Sequence, residues 1–241
     1  MAHNDPTPLV SDELELLSSL VPLERQDIIE LGCGKARLAR ELLRRHPGCH
    51  LTGLEVDAIQ HARNLLEPSP GLSFIAAGAQ DIPFPAQSFD LALMLKSLHH
   101  VPVAAMDAAL AEIARVLRPG GCLYVSEPVY AGELNEIVRL YNDEGMVRAA
   151  AQEALDRALA AGGQFEQLAE RRFGVSMGWN SFDEFEQRMM RPTFADHQLD
   201  EHKIAAVRAA FMPHCGPQGA RFVQPMRVRL LRRRCGILAQ A

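Results

Sequence analysis

The stretch of this sequence best suited to hold a ligand is Glu30-Leu31-Gly32-Cys33-Gly34. It lies directly after an apolar run that reads as a strand and directly before a segment with helical spacing. Glycines there let the chain turn sharply and let a ligand approach the backbone. The N–H groups opening the next helix favour polar or anionic ligand groups. A second acid, Glu55, closes the following strand about 20 residues on, where a carboxylate in this kind of fold holds a ribose diol. A dinucleotide fingerprint, G-x-G-x-x-G, would need glycine at 37, and this chain has Arg37, whose bulk suits a pyrophosphate poorly.

A second group of candidates follows the fourth and fifth apolar runs, because open α/β sheets bind ligands outside the carboxyl ends of their strands. Lys96-Ser97-Leu98-His99-His100 follows the fourth. His99 and His100 are candidate general bases, with loop packing as the alternative. Lys96 either snorkels to solvent or meets an anionic acceptor. After the fifth run come Glu127 and Tyr130; Glu127 either orients an acceptor or caps the next helix. Trp179 reads as core, and Met177, Met189 and Met190 as core filler. Arg227 and Arg229 are two apart and project to one strand face, which with Arg232, Arg233 and Arg234 reads as a solvated edge, the alternative being an RNA-binding strip that lacks interleaved aromatics to stack bases.

The elements that must position these residues are legible in the first half. Strands are expected at Asp27–Leu31, Cys49–Glu55, Leu72–Ala76, Ser88–Leu95 and Cys122–Ser126. Helices are expected around Leu14–Leu20, at Ala36–Arg45 with Leu38, Leu42 and Leu43 on one face, at Ala58–Leu66 and at Ala104–Leu117. Alternating strand and helix with unbroken apolar strands predicts a doubly wound, mostly parallel sheet of seven strands, with helices on both faces. The second half predicts helices in Leu134–Ala161, Phe182–Met190 and Leu199–Phe211, a sixth strand at Arg172–Met177 and a closing strand at Phe222–Leu231. We read 1–241 as one domain: a ligand-binding half (1–127), a helical cover and acceptor region (128–220) and a closing strand (221–234).

Composition narrows the classes. The 241 residues are 48% hydrophobic, enough for one sizeable core. A net charge of −5 disfavours a nucleic-acid backbone as partner. Met1–Val10 lacks the basic and apolar regions of a signal peptide, which predicts a cytoplasmic protein. The five cysteines, at 33, 49, 122, 215 and 235, show no C-x-x-C spacing and read as reduced, mostly buried thiols; no metal site is expected.

Four motifs in order, spanning residues 28–127, resemble the class I S-adenosylmethionine (SAM)-dependent methyltransferases, in the small-molecule subgroup related to the ubiquinone-biosynthesis methyltransferases. Glu30–Gly34 resembles the first motif and Leu51-Thr52-Gly53-Leu54-Glu55 the second. Ala79-Gln80-Asp81-Ile82-Pro83-Phe84-Pro85 with Ser88-Phe89-Asp90 is similar to the stretch running past adenine. Ala114-Arg115-Val116-Leu117-Arg118-Pro119-Gly120-Gly121 is similar to the turn into the fifth strand. The resemblance implies SAM contacts from Glu30, Gly32, Cys33 and Gly34, from Glu55 and Val56, and from Ala79, Gln80, Asp81 and Lys96. It implies methyl transfer to a small molecule, with His99, His100 and Tyr130 as catalytic candidates.

Two positions depart from the pattern. Ala36 replaces a third glycine, and Gly78 replaces an acid that meets the adenine amino group, leaving adenine to the backbone at Ala79 and to Gln80 or Asp81. The competing readings are a non-catalytic SAM-binding regulator and an RNA or protein methyltransferase. Lys96-Ser97-Leu98-His99 stands where nucleobase-amine enzymes carry an Asn-Pro-Pro-Tyr motif. Arg37 counts against a nicotinamide enzyme. The acceptor and the oligomeric state are not written in the sequence.

Overall fold

The computed structural model describes residues 8–193 and 195–235. The leader reading, insofar as it concerns residues 1–7, lies outside them. Contacts divide the chain into two compact units. One comprises Asp12–Glu127, Ala149–Arg171 and the stretch from Val228; the other comprises the described residues up to Ser11, Pro128–Arg148 and Arg172–Arg227.

The larger unit carries the expected alternation. Strands β1 (Asp27–Leu31), β2 (His50–Leu54), β3 (Leu72–Ile75), β4 (Phe89–Leu95) and β5 (Leu117–Pro128) are joined through α1 (Glu13–Leu20, preceding β1), α2 (Arg37–Arg45), α3 (Ala58–Leu65) and α4 (Met106–Val116) in chain order. β1 pairs in parallel with both β2 and β4, β2 with β3, and β4 with β5. The chain therefore winds outward from β1 to β3, then restarts at β4. Right-handed crossovers in the two directions put helices on opposite faces. Ile28, Ile29, Leu31, Leu91, Ala92 and Leu93 are fully buried, as strands covered on both sides require. In α2 the buried stripe is Ala39, Leu42 and Leu43, with Leu38 at its margin.

The sheet continues through α5 (Glu133–Val138), α6 (Gly145–Leu159), β6 (Phe165–Trp179), α7 (Phe182–Phe185), α8 (Glu201–Phe211), β7 (Cys215–Gly216) and β8 (Gly219–Arg233), in the order β3-β2-β1-β4-β5-β8-β6. Seven strands form this path. The eighth, β7, pairs antiparallel with β8, so the expected count of seven is one short. Two residues carry no periodicity by which to find a strand.

Other differences have local causes. β5 begins at Leu117, not Cys122. Phe89 pairs with Leu117 and Leu91 with Cys122, so Arg118–Gly121 bulges out, with Gly120 at φ +80°. β6 runs well beyond Arg172–Met177. As an end strand of the path it carries the charged stretch Glu166–Arg172 between buried Phe165 and Phe173, and that stretch masks its period. Helix α7 passes into a π-turn at Glu186–Met190.

The smaller unit is not purely helical, since parts of β6 and β8 and all of β7 belong to it. Its core is aromatic. Trp179 meets Phe185 edge-on at 5.1 Å and Phe211 at 6.5 Å, and Phe211 lies 5.9 Å from Phe222. Met190 is buried there, with Met177 and Met189 packed against the cluster. Trp179 and the methionines are core, as read.

The arginine expectation is corrected. β8 lies between β5 and β6, not at an edge, and Arg229 is 5% exposed, bound to Asp156 (2.7 Å) and Gln167 (2.9 Å). Arg232 pairs with Glu166, and Arg233 and Arg234 donate to the Leu117 and Phe165 carbonyls. The cysteines are all free, but only Cys33 and Cys49 are buried.

Candidate functional site

The β1 turn is closed from two sides. In-register pairing of Leu31 with Leu54 brings Glu55 beside the loop. The Gly34 amide donates to Glu55 Oε2 at 2.7 Å, and Glu55 Oε1 accepts from the Asp57 amide at 2.9 Å. The Gly32 and Cys33 amides donate to Leu54 O. Gly32 and Gly34 have φ of +69° and +51°, a conformation that costs side-chain-bearing residues strain. Ala36 also takes a left-handed φ, +51°, so the turn keeps its shape without the third glycine.

Three supports escaped the sequence reading. Asn64 of α3 donates to Gly34 O at 2.7 Å and accepts from Gln60 Nε2 at 2.8 Å, although both side chains are buried on a helix. Ser97 Oγ donates to Leu31 O at 2.6 Å. The available signal was two amides at i and i+4 on the buried face of α3.

Glu30 is 3% exposed and its Oε2 has no hydrogen-bond partner. Burial, reinforced by the charges of Glu13 and Glu55, pushes its carboxyl up to about 8. Burial likewise raises the Cys33 thiol far above its usual value, which makes it inert. Val56 is largely exposed beside the loop.

In the adenine-like stretch Ala79 is buried while Gln80 and Asp81 are exposed. The Gln80 carboxamide is folded over Gly78: a Cβ on Gly78 would stand 2.6 Å from its Oε1. Arg115 donates to the Ile82 and Phe84 carbonyls at 2.9 and 2.7 Å, and Arg118 ties Asp90 to Asp27. The arginines of the fourth motif are therefore braces of the loop and sheet.

Lys96 ends β4 in a left-handed conformation (φ +59°), with its amide donating to Ser126 O and its side chain exposed. His99 is buried and His100 exposed, their rings 4.1 Å apart. Glu127 turns to both ring and backbone here: Oε1 accepts from the Leu98 amide at 2.9 Å, and Oε2 is hydrogen-bonded to His99 Nδ1. It caps the short turn Leu98–His100 and not the next helix. Tyr130 belongs to the smaller unit, where its hydroxyl donates to Asp143 at 2.7 Å, a bond that raises its pKa.

Residues 28–121 match the family model described as a methyltransferase domain. A fatty-acid O-methyltransferase of Mycolicibacterium smegmatis is 40% identical over 101 residues, 41% of this chain and 36% of that protein. A phthiotriol/phenolphthiotriol dimycocerosates methyltransferase of Mycobacterium ulcerans is 34% identical over 122 residues, 48% of this chain and 42% of that one. The chain thus spans about two fifths of either relative's length. Among solved structures, the YcgJ protein of Bacillus subtilis superposes with a TM-score of 0.63 at 18% identity, covering 92% of this chain and 98% of that one. A SAM-dependent methyltransferase from Methanosarcina mazei gives 0.56 at 15%, covering 92% and 98%. The class I methyltransferase fold expected from the motifs is the fold observed, and SAM is the cofactor of this class.

The residues present suit that cofactor. Each Glu55 oxygen accepts one backbone amide and has a second lone pair to accept a hydroxyl, the position a Cβ of Gly34 would take is open space, and Glu30 offers a buried, unpartnered carboxyl oxygen for a cationic group. Among the described residues no helix is long and apolar enough to cross a membrane.

Proposed function

We propose that this protein binds SAM on the β1–α2 turn and transfers its methyl group to a small-molecule acceptor. The observation that carries this reading is the closure of the Gly32–Gly34 turn by Glu55, at 2.7 Å from the Gly34 amide. That contact fixes a carboxylate at the end of β2 beside a loop shaped for close approach. In this reading Glu55 receives the ribose hydroxyls, the Gly32, Cys33 and Gly34 backbone bears the amino-acid end, and Glu30 faces its ammonium. Val56, Ala79, Gln80 and Asp81 line the adenine, and Lys96 borders the cofactor. When bound, SAM supplies a methyl group on a good leaving group. The chain's own task is then to align the acceptor, exclude water and receive a proton where the acceptor has one. His99, His100 and Tyr130 are the candidates for contact with the acceptor, and residues 128–220 are assigned its selection.

The same reading takes 1–241 as one domain and the cytoplasm as its location. The net charge of −5 supports a metabolite over a nucleic acid. A fatty-acid or other lipid-like acceptor is supported by the mycobacterial relatives' names alone. Titration of SAM, and separately NADH, by calorimetry with Glu55→Ala as control tests the reading. Micromolar SAM binding weakened by the substitution supports it. A folded protein that binds no SAM overturns it.

A further inference from the structure

The end of β8 gathers arginines in the larger unit at the strand ends opposite the cofactor turn. Leu117 opens β5 and pairs with Phe89 at the start of β4, whereas Gly32–Gly34 follows the end of β1, which runs parallel to β4. At that far end Arg233 and Arg234, with Arg115 of α4 and Gln164 before β6, line a cavity of about 320 Å³, and Ala111 and Ala114 line it beside them. No carboxylate among the described residues lines it.

These arginines differ in what balances their charge. Arg229 pairs with Asp156, Arg232 with Glu166 and Arg115 with Glu112. Among the described residues the Arg233 and Arg234 side chains meet backbone carbonyls instead. Arg233 donates to Leu117 O, and Arg234 to Phe165 O at 2.7 Å and Leu159 O at 3.5 Å. A carbonyl holds a guanidinium in place without cancelling its charge, and the group cannot shed its proton. Two fixed, unbalanced cations therefore border one cavity in a protein whose net charge is −5. A neighbouring hollow of about 410 Å³ shares Arg234, but Asp156 and Glu166 line it and would repel an anion.

We infer that the cavity bordered by Arg233, Arg234 and Gln164 is a second ligand site, and that it takes a phosphate monoester. The dianion matches the two unbalanced charges, and a guanidinium fork fits phosphate oxygens two at a time. Donors remain for it: Nε and Nη2 of Arg233, Nη1 of Arg234 and the Gln164 carboxamide. The guanidinium groups are held before a ligand arrives, so less side-chain freedom is lost on binding. The volume falls within the range of small-molecule sites, about 300–1,000 Å³, which leaves room for the body that carries the phosphate. This site stands independently of the methyl-transfer reading, since none of its residues is assigned to SAM.

The test uses the full chain with 15N-labelled arginine. The Nε–H resonances of Arg233 and Arg234, identified by their loss in Arg233→Lys and Arg234→Lys, are expected to shift as phenyl phosphate is titrated into the wild type, with a Kd below about 1 mM. Phenyl sulfate, a monoanion of similar shape, is expected to bind at least about fivefold more weakly. Arg233→Gln is expected to weaken phenyl phosphate at least about tenfold. Arg232→Gln removes the same charge from a residue that does not line the cavity, and is expected to change the Kd by less than about twofold. Vesicles of phosphatidylcholine with phosphatidic acid distinguish the sources of the phosphate. Sedimentation with them, lost in Arg233→Gln, makes a lipid headgroup the ligand; phenyl phosphate binding without it makes the ligand a soluble monoester. No shift at either arginine, equal affinity for the sulfate, or equal weakening by Arg233→Gln and Arg232→Gln overturns the proposal.

Discussion

A Cβ placed on Gly32 would stand 2.8 Å from the Cβ of Ser97, while one placed on Gly34 would meet nothing within 4 Å. The two glycines of one turn thus do different things. Gly32 is held against the chain after β4, where Ser97 also bonds Leu31 O. Gly34 faces open space. Gly32→Ala is expected to destabilise the protein by about 1–3 kcal/mol, from overpacking plus a strained φ. Gly34→Ala is expected to cost about 1–2 kcal/mol from its left-handed φ with no overpacking, and to weaken SAM at least about tenfold, because its methyl enters the space a ligand needs. Thermal melts and calorimetry on the two variants separate these effects, and equal losses of both properties in both variants would contradict the assignment.

Glu55 serves the loop and, by assignment, the ribose. Each charged hydrogen bond contributes about 1.5–3 kcal/mol. Glu55→Ala should therefore weaken SAM by roughly tenfold or more, while also loosening the Gly34 amide. Glu55→Gln keeps an acceptor for that amide and should fall between. Calorimetric Kd values in the order wild type, Gln, Ala are the expected result.

Glu30 gives a pH signature. Its carboxyl, at about 8 in the folded protein, holds a proton that the unfolded chain releases above its ordinary value of 4.5. Between these values the native state binds more protons, so stability falls as pH rises from about 4.5 to about 8, by up to about 1.4 kcal/mol per pH unit, and levels off above. Glu30→Gln should remove that slope in denaturant melts. In wild type, SAM binding at pH 7 should release a proton, because a cationic group beside Glu30 favours its ionised form. Calorimetry in two buffers of different ionisation enthalpy reads that proton directly.

Gly78 and Gln80 make the fourth test. The Gln80 carboxamide lies where an acid at 78 would project, and it is the exposed end of a flexible side chain. Gly78→Asp should displace it at little cost, leave the melting temperature unchanged within about 2 °C, and tighten SAM several-fold through a bond to the adenine amino group. Unchanged or weaker binding would mean that Gln80 already serves that position.

Sequence and structure agree where a single local signal decides. β1 to β4 are short apolar runs cut by glycine, proline or a cap, so their bounds differ from expectation by a residue or so. Glu55 was found because strand length alone puts it at the end of β2. The His99–Glu127 contact was not found, because 28 residues separate its partners and only the β4–β5 register unites them. Asn64 and Ser97 were missed for the same reason: their partners are backbone carbonyls, which no side-chain motif records. Arg229 was misassigned because two arginines on one strand read as exposed until the strand order encloses Arg229 beside Asp156 and Gln167.

The aromatic core around Trp179 has a spectroscopic consequence. The chain has one tryptophan, and it lies in the smaller unit, 2% exposed. Selectively excited fluorescence therefore reports on that unit alone, with a blue-shifted emission while Phe185, Phe211 and Phe222 surround the indole. The larger unit is silent in this channel. Denaturation followed by emission and by far-ultraviolet circular dichroism would then read the smaller unit and the whole chain separately, with no label attached to either.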